Sequence, residues 1–259
     1  MTTFFSGTQQ PATAQPVSPD SERTAHLCAE AALFMRDHVL SLVSHDLRSP
    51  LNAIHSWAYV LERKLDAGDA TAQRAIAGIR SGVDQQVKLL ESLVDATRAE
   101  TKSLALNRAP FALPAMIDAA LDAVRTPFAQ ARAVTVTSGS TLAGEPLNGD
   151  AARLAQALWL MLTFAVESSA RETGVVLEST LDGTLWQATV AFTPAPAALH
   201  DATLAHLLEA FARRQAQEPR EAGRIAWVLA LCKRVAEAHG GKFEQHEEAL
   251  VLRVPLAAA

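Results

Sequence analysis

The stretch Ser-His-Asp-Leu-Arg-Ser-Pro-Leu-Asn-Ala-Ile, residues 44–54, lies within a long run in which apolar residues recur every three or four positions. This spacing predicts an amphipathic helix with one apolar stripe. The stripe consists of Leu40, Val43, Leu47, Leu51, Ile54, Ala58, Leu61 and Leu65. His45 lies two residues from Val43, which is about 200° around the axis of a helix. Its imidazole is therefore predicted to face solvent, opposite the stripe.

A second apolar stripe follows the break Asp-Ala-Gly-Asp at residues 66–69. It comprises Ile76, Ile79, Val83, Val87, Leu90 and Val94. Two amphipathic helices joined by a short glycine-containing loop predict an antiparallel hairpin. Because one hairpin cannot cover its own stripe, we expect two copies to pair into a four-helix bundle, which makes the chain a homodimer.

The helical pattern ends at residues 108–114, which include two prolines, and shorter segments follow. The predicted helices are 114–131, 150–170, 202–214 and 225–238, and the predicted strands are 134–136, 175–180, 185–192, 242–244 and 250–254. This order predicts an α+β fold in which helices back one sheet. We expect three regions: a disordered tail rich in Thr, Gln, Ser and Pro (1–21), a helical hairpin (22–104) and an α/β sandwich domain (105–259).

Composition excludes several classes of function. The net charge of −5 over 259 residues argues against binding to nucleic acid or to an anionic membrane surface, because both require a basic face. No segment approaches the roughly 20 apolar residues of a membrane span, and the first residues do not resemble a secretory signal. Cys28 and Cys232 lie far apart and in no metal-ligand spacing. These features predict a cytoplasmic protein without a metal site.

The residues around His45 suit nucleophilic chemistry. Asp46 can hydrogen-bond one ring nitrogen or act as a base toward it, which leaves the other nitrogen with a free lone pair. Pro50 removes a backbone N–H and disturbs the preceding turn of the helix.

Residues 44–54 closely resemble the H box of bacterial sensor histidine kinases. The second domain resembles the ATP-binding domain of the same kinases, a Bergerat-like sandwich, so the resemblance covers about residues 25–256. Three stretches carry it there: the helix opening Asp-Ala-Ala-Arg-Leu-Ala-Gln-Ala-Leu (150–158), the F-box-like Leu-Leu-Glu-Ala-Phe (207–211), and Leu-Cys-Lys-Arg-Val-Ala-Glu-Ala-His-Gly-Gly (231–241). The resemblance implies that His45 is the phosphoacceptor, with Asp46 as its hydrogen-bond partner. Arg48 and Ser49, about one turn away, are the residues expected to contact an incoming receiver domain or its phosphoryl group.

The family's nucleotide-binding residues have no counterparts in this sequence. Leu160 and Phe164 occupy the positions of the family's two N-box asparagines, and phenylalanine has no oxygen with which to bind Mg²⁺. The two glycine boxes correspond to residues 194–198 and 224–229. Their key positions are occupied by Pro194, Pro196, Ala198, Ala226 and Val228. We therefore expect no cofactor, with Phe164, Trp227 and Val228 filling the vacated pocket, and Mg²⁺ only on the partner receiver. Whether another small ligand binds there stays open.

Three functions follow from these features, of which we favour the first. The chain resembles dimeric, kinase-like histidine phosphotransferases, which implies that His45 exchanges phosphate with aspartates of response-regulator receiver domains without ATP. A hybrid histidine kinase is one source of that phosphate. The second function is that of a divergent ATP-dependent soluble sensor kinase. The third is that of a pseudokinase interaction module, which regulates true kinases or response regulators.

Overall fold

The structure is a computed structural model that describes residues 19–64, 69–101, 104–140, 142, 144, 146–218 and 224–259. Except for residues 19–21, the predicted tail lies outside the described residues. Side chains are described from residue 22 onward, except those of residues 93–101 and 127.

Two long helices form the predicted antiparallel hairpin: α1 (Pro19–Lys64) and α2 (Ala70–Thr101). Asp69 caps the start of α2, because its Oδ1 accepts hydrogen bonds from the backbone N–H groups of Thr71 and Ala72 at 3.1 and 2.9 Å. Salt bridges connect the two helices, such as the one between Glu62 and Arg80, at 2.5 Å.

The predicted stripe of α1 has two parts in the structure. Leu51 and Ala58 are buried, as are Ile76 and Val83 of α2. A second group on the hairpin remains exposed: Val43, Leu47, Ile54, Leu61 and Ile79. A single hairpin therefore covers only part of its own apolar surface.

The described residues of the second domain form two sheets and four α-helices. The helices are α3 (Leu113–Val124), α4 (Ala151–Ser168), α5 (Ala210–Gln217) and α6 (Ala230–Ala238). The strands are β1 (Ala109–Ala112), β2 (Thr135–Ser140), β3 (Pro146–Gly149), β4 (Gly174–Asp182), β5 (Leu185–Phe192), β6 (Lys242–Gln245), β7 (Ala249–Pro255) and β8 (Ala257–Ala258). The main sheet has the order β2-β4-β5-β7-β6, and only the β2–β4 pair is parallel. A small sheet of β1, β3 and β8 lies beside it.

The central helix α4 is buried on nearly every side from Ala157 onward, which explains its almost uniformly apolar sequence. Asp150 caps its start by accepting the Arg153 N–H at 3.1 Å. The main sheet presents an alternating set of buried residues, including Val175, Leu177 and Trp186. These arrangements confirm the predicted fold class, a helical hairpin followed by an α+β domain.

Four features differ from the sequence expectation. The helix expected at 114–131 ends at Val124, because the backbone of Thr126 leaves the helical conformation. Strands β1, β3 and β8 are too short to leave a periodic pattern. The helix expected at 225–238 opens as a 3-10 turn at Trp227–Leu229 before α6 begins. The helix expected at 202–214 begins only at Ala210, because the N–H groups of Leu207 and Leu208 donate to the Glu167 carboxylate instead of to helix carbonyls.

The first part of α1 extends beyond the hairpin and packs on the second domain. We call residues 22–39 the docking segment. Leu27, Ala31, Phe34 and Met35 are buried there in the same core as α4 and α6. Phe34 precedes His45 by 11 residues, about 20° around the helix and about 16 Å along it. The second domain therefore contacts the face of α1 that carries His45, upstream of it.

Of the helices that the described residues form, none combines the length and the hydropathy of a membrane span.

Candidate functional site

His45 lies on α1 with 82% of its side chain exposed. Its Nδ1 is 3.2 Å from Oδ1 of Asp46, which is itself half exposed. When Nδ1 carries the proton and donates it to Asp46, Nε2 keeps a free lone pair toward solvent. The neighbouring Ser44, about 100° around the helix from His45, is buried. The arrangement provides an accessible nitrogen nucleophile whose tautomer is set by a carboxylate.

The other predicted site residues on α1 occupy different positions. Ser49 is exposed one turn after His45 and on nearly the same side, about 40° around the axis. The Arg48 guanidinium is directed across the hairpin, with Nη2 4.0 Å from Oε1 of Glu91 on α2. Pro50 lies inside the helix and provides no N–H for the carbonyl of Asp46. The structure therefore brings His45, Asp46 and Ser49 together, and pairs Arg48 with α2.

The two N-box positions are part of the core. Leu160 is fully buried and Phe164 is 3% exposed. The Phe164 ring meets that of Phe192 edge to face, with centroids 6.3 Å apart. Neither side chain has an oxygen with which to ligate Mg²⁺.

The backbone at the second glycine-box position is already hydrogen-bonded to side chains. The N–H of Ala226 donates to Oε1 of Gln245 at 2.7 Å, and the N–H of Trp227 donates to Oε1 of Gln215 at 2.8 Å. Gln215 is buried, and Val228 is 3% exposed. A phosphate held at a helix start needs free N–H groups, and these two are engaged.

The first glycine-box position is closed by backbone pairing. The N–H of Ala195 donates to the carbonyl of Ser168 at the end of α4, at 2.7 Å. Residues Pro196–Leu199 form a 3-10 turn, and Ala198 within it is buried. Pro194 and Pro196 offer neither an N–H nor a polar side-chain atom.

Little space remains where the docking segment meets this region. A cavity of about 20 Å³ lies between Met35 and Cys28 of α1 and Leu208 and Val228 of the second domain. That volume holds about one water molecule, which is far too little for a nucleotide. The residues at the N-box and glycine-box positions do not fit a magnesium nucleotide.

A buried polar cluster, which sequence reasoning missed, holds the loop before α5. Arg132 is 1% exposed and donates to the carbonyl of Ala205 at 2.6 Å and to that of Glu167 at 2.9 Å. Burial lowers the pKa of Arg132, and the charge of Glu167 opposes that shift. Oε2 of Glu167 lies 2.8 Å from Nδ1 of His206. A lone acidic residue in the apolar sequence of α4 was the available signal.

Two other histidines are buried or half-buried. His239 is 3% exposed, and burial lowers its pKa, with the charge of Arg108 acting in the same direction. His38 is half-buried where α1 meets α6. Burial lowers the pKa of His38, and the charges of Lys233, Arg234 and Arg224 lower it further.

Comparisons with known proteins bear on both halves of the chain. Residues 35–102 match the family model described as the His Kinase A (phospho-acceptor) domain. The crystal structure of a histidine kinase from Burkholderia phymatum STM815 is 54% identical, covering 92% of this chain and 99% of that one with a TM-score of 0.77.

Two curated relatives are more distant. The uncharacterized sensor-like histidine kinase R01002 of Rhizobium meliloti (strain 1021) is 27% identical over 85% of this chain and 41% of its own length. The signal transduction histidine-protein kinase BaeS of Escherichia coli (strain K12) is 27% identical over 80% of this chain and 43% of its own. The chain thus spans less than half the length of these two relatives. The match to the Burkholderia structure over nearly its whole length shows that the chain belongs to the histidine kinase family, whose members act in two-component signal transduction.

Proposed function

We propose that this chain is a phosphotransfer protein in which His45 exchanges a phosphoryl group with receiver-domain aspartates and the second domain uses no ATP. The observation that carries the proposal is a contrast between the two domains of this chain. His45 is 82% exposed beside Asp46, whereas the N–H groups of Ala226 and Trp227 are bonded to glutamine side chains. The phosphate source is therefore another protein.

The transfer step follows from the geometry at His45. Nε2 attacks the phosphorus of a receiver's aspartyl phosphate, the P–N bond forms, and the P–O bond to the aspartate breaks. The aspartate leaves as a carboxylate. The ring then carries a positive charge, and its Nδ1–H donates a hydrogen bond to the Asp46 carboxylate, 3.2 Å away, which stabilises that charge. In the reverse step, a second receiver's aspartate attacks the phosphorus and the P–N bond breaks. Mg²⁺ belongs to the receiver in both steps.

The uncovered apolar face supports a homodimer. Val43, Ile54 and Leu61 are each at least 42% exposed. They lie between about 160° and 200° from His45 around α1. Pairing of two copies through this face removes it from water and leaves both His45 side chains pointing outward. Family membership implies dimerisation and response-regulator partners, so the proposal places the chain in the cytoplasm with them.

The second domain is placed to form part of the receiver's docking surface. It packs on the same face of α1 as His45, about 16 Å upstream at Phe34. A receiver domain that reaches His45 on this face therefore approaches the second domain as well. We assign phosphotransfer and dimerisation to the hairpin, residues 22–104, and receiver contact to residues 105–259.

Two labelling reactions test the proposal. The full chain is incubated with a ³²P-labelled receiver domain, or with radiolabelled ATP and Mg²⁺ alone. We expect label on the wild-type chain only from the receiver, and no label on His45→Gln from either source. Because His45 is so exposed, this variant keeps the fold, which thermal unfolding verifies.

Two other outcomes would contradict the proposal, and each would indicate one of the two alternative functions. Label on the chain from ATP alone, with sub-millimolar nucleotide binding, contradicts the proposal and indicates an ATP-dependent kinase. Normal signalling by His45→Gln in cells contradicts it as well, and indicates an interaction module.

A further inference from the structure

A cavity of about 170 Å³ lies where the docking segment meets α3 and α4. Five alanines of α3 and α4 form its walls, together with Leu27 of α1 and Trp159 of α4. An engineered apolar cavity of about 150 Å³ binds benzene. The volume here therefore suits one small ring, and it is separate from the smaller cavity beside Val228.

Trp159 adds a hydrogen-bond requirement to this apolar space. Its side chain is 2% exposed, and its indole N–H has no acceptor among the described residues. Buried donors are nearly always paired, because an unpaired donor loses its hydrogen bond to water without replacement. A molecule in the cavity that carries an oxygen acceptor satisfies this N–H.

The α1 side of the cavity carries one arginine and one histidine. Arg23 and His26 line it and are exposed. His26 lies 3.8 Å from Glu30, whose carboxylate also pairs with Arg153 at 3.3 Å and accepts from Gln156. Arg23 has no carboxylate partner among the residues whose side chains are described. Its guanidinium lies at the edge of the cavity, where it can pair with an anionic group.

We propose that this cavity is a binding site for a small aromatic carboxylate. The ring lies among the alanines, the carboxylate faces Arg23, and an oxygen accepts the Trp159 N–H. The ligand contacts both the docking segment and the second domain, so its binding stabilises their contact. The site lies about 28 Å along α1 from His45, measured from His26, and does not depend on phosphotransfer.

Benzoate is the first probe, and benzyl alcohol is its uncharged counterpart of similar size. By calorimetry and ligand-observed NMR on the full chain, we expect benzoate to bind with a dissociation constant on the order of 1 mM or tighter. Arg23→Gln should weaken benzoate roughly threefold to fivefold and leave benzyl alcohol unchanged, because only the carboxylate uses the guanidinium.

Three further variants distinguish binding at this site from non-specific binding. Ala155→Leu fills the cavity and should abolish binding of both compounds. Ala115→Leu, on an exposed part of α3 outside the cavity, is its matched control and should bind normally. Trp159→Phe keeps the ring and removes the N–H, so it should weaken both oxygen-bearing compounds roughly fivefold and leave toluene unchanged.

The proposal is wrong if benzoate fails to bind at about 10 mM. It is also wrong if Ala155→Leu, shown by circular dichroism to be folded, binds benzoate as tightly as the wild type. A cavity occupied only by water gives the first of these results.

Discussion

Glu167 and His206 face each other across 2.8 Å, from Oε2 to Nδ1, and the Glu167 side chain has no exposure to solvent. The other ring nitrogen of His206 lies 3.0 Å from the carbonyl of Asp201. Both ring nitrogens of His206 thus lie within hydrogen-bond distance of an oxygen acceptor. Oε1 of the same carboxylate accepts the N–H groups of Leu207 and Leu208, so one buried glutamate organises the loop before α5.

We expect Glu167→Ala to reduce the free energy of unfolding by about 3–5 kcal/mol, because it leaves the N–H groups of Leu207 and Leu208 without their buried acceptor. It also removes the negative charge that acts on the buried Arg132. Glu167→Gln, which keeps an acceptor for the two N–H groups, should cost less. Urea unfolding measures both variants, and amide exchange at Leu207 and Leu208 reports the loop. A loss below about 1 kcal/mol for Glu167→Ala contradicts this role.

Phe164→Ala should cost about 3–5 kcal/mol, because it removes a ring that packs against Phe192 in the core. Phe164→Asn, which introduces the amide that other family members use, should also destabilise the fold. It should give no affinity for Mg²⁺-ADP, since the N–H groups of Ala226 and Trp227 remain bonded to Gln245 and Gln215. Calorimetry with Mg²⁺-ADP checks this, and binding by the single variant contradicts it.

The docking segment offers a matched pair of substitutions. Met35 is 2% exposed against the second domain, whereas Leu33, on the same helix, is 54% exposed. Met35→Ala should lower the free energy of unfolding by about 2–5 kcal/mol, and Leu33→Ala should change it by less than about 0.5 kcal/mol. Equal effects in chemical unfolding mean that the segment does not dock in solution.

The stability of the fold should fall in mild acid. His239 Nδ1 donates to the carbonyl of Val235 and Nε2 accepts the N–H of Asp150, so the buried ring is neutral. Its lowered pKa means that the unfolded chain binds the proton more readily. The contribution is complete above the ordinary pKa of about 6.5 and is lost as pH falls through the folded-state value.

Unfolding in urea at about pH 7.5 and about pH 5.5 measures this dependence. His239→Gln should show a smaller difference between the two conditions than the wild type. His38, whose pKa is also lowered, should account for part of what remains.

Much of the fold could be predicted, because periodicity is a local property of the sequence. The stripes through Leu51 and Val83 predicted the hairpin, and the alternation at residues 185–192 predicted β5. The docking segment was not recognised, since its buried residues Phe34 and Met35 lie on a different face of α1 from the stripe that follows them. Periodicity shows that a face is apolar without showing what covers it.

The candidate site, too, could be predicted from the sequence only in part. The position of His45 on the exposed face follows from helix geometry alone, and the structure places it there. The bonds from Gln215 and Gln245 to the backbone at 226–227 were not predictable, because they connect residues 12 and 19 positions apart through tertiary folding. The roles of Asp46, Arg48 and Ser49 in phosphotransfer remain predictions.

Pro50 is a position at which the continuous helix α1 can bend. Arg23 lies 27 residues before it, about 40 Å along the axis, and His45 lies only about 7.5 Å before it. Proline is the residue at which helices most often bend. A bend of about 10° there carries the far end of α1 and its attached domain through about 7 Å, and displaces His45 by little more than about 1 Å. His45 and the second domain lie on the same side of Pro50, so a bend at Pro50 would turn them together relative to the rest of the hairpin, with His45 close to the axis of rotation.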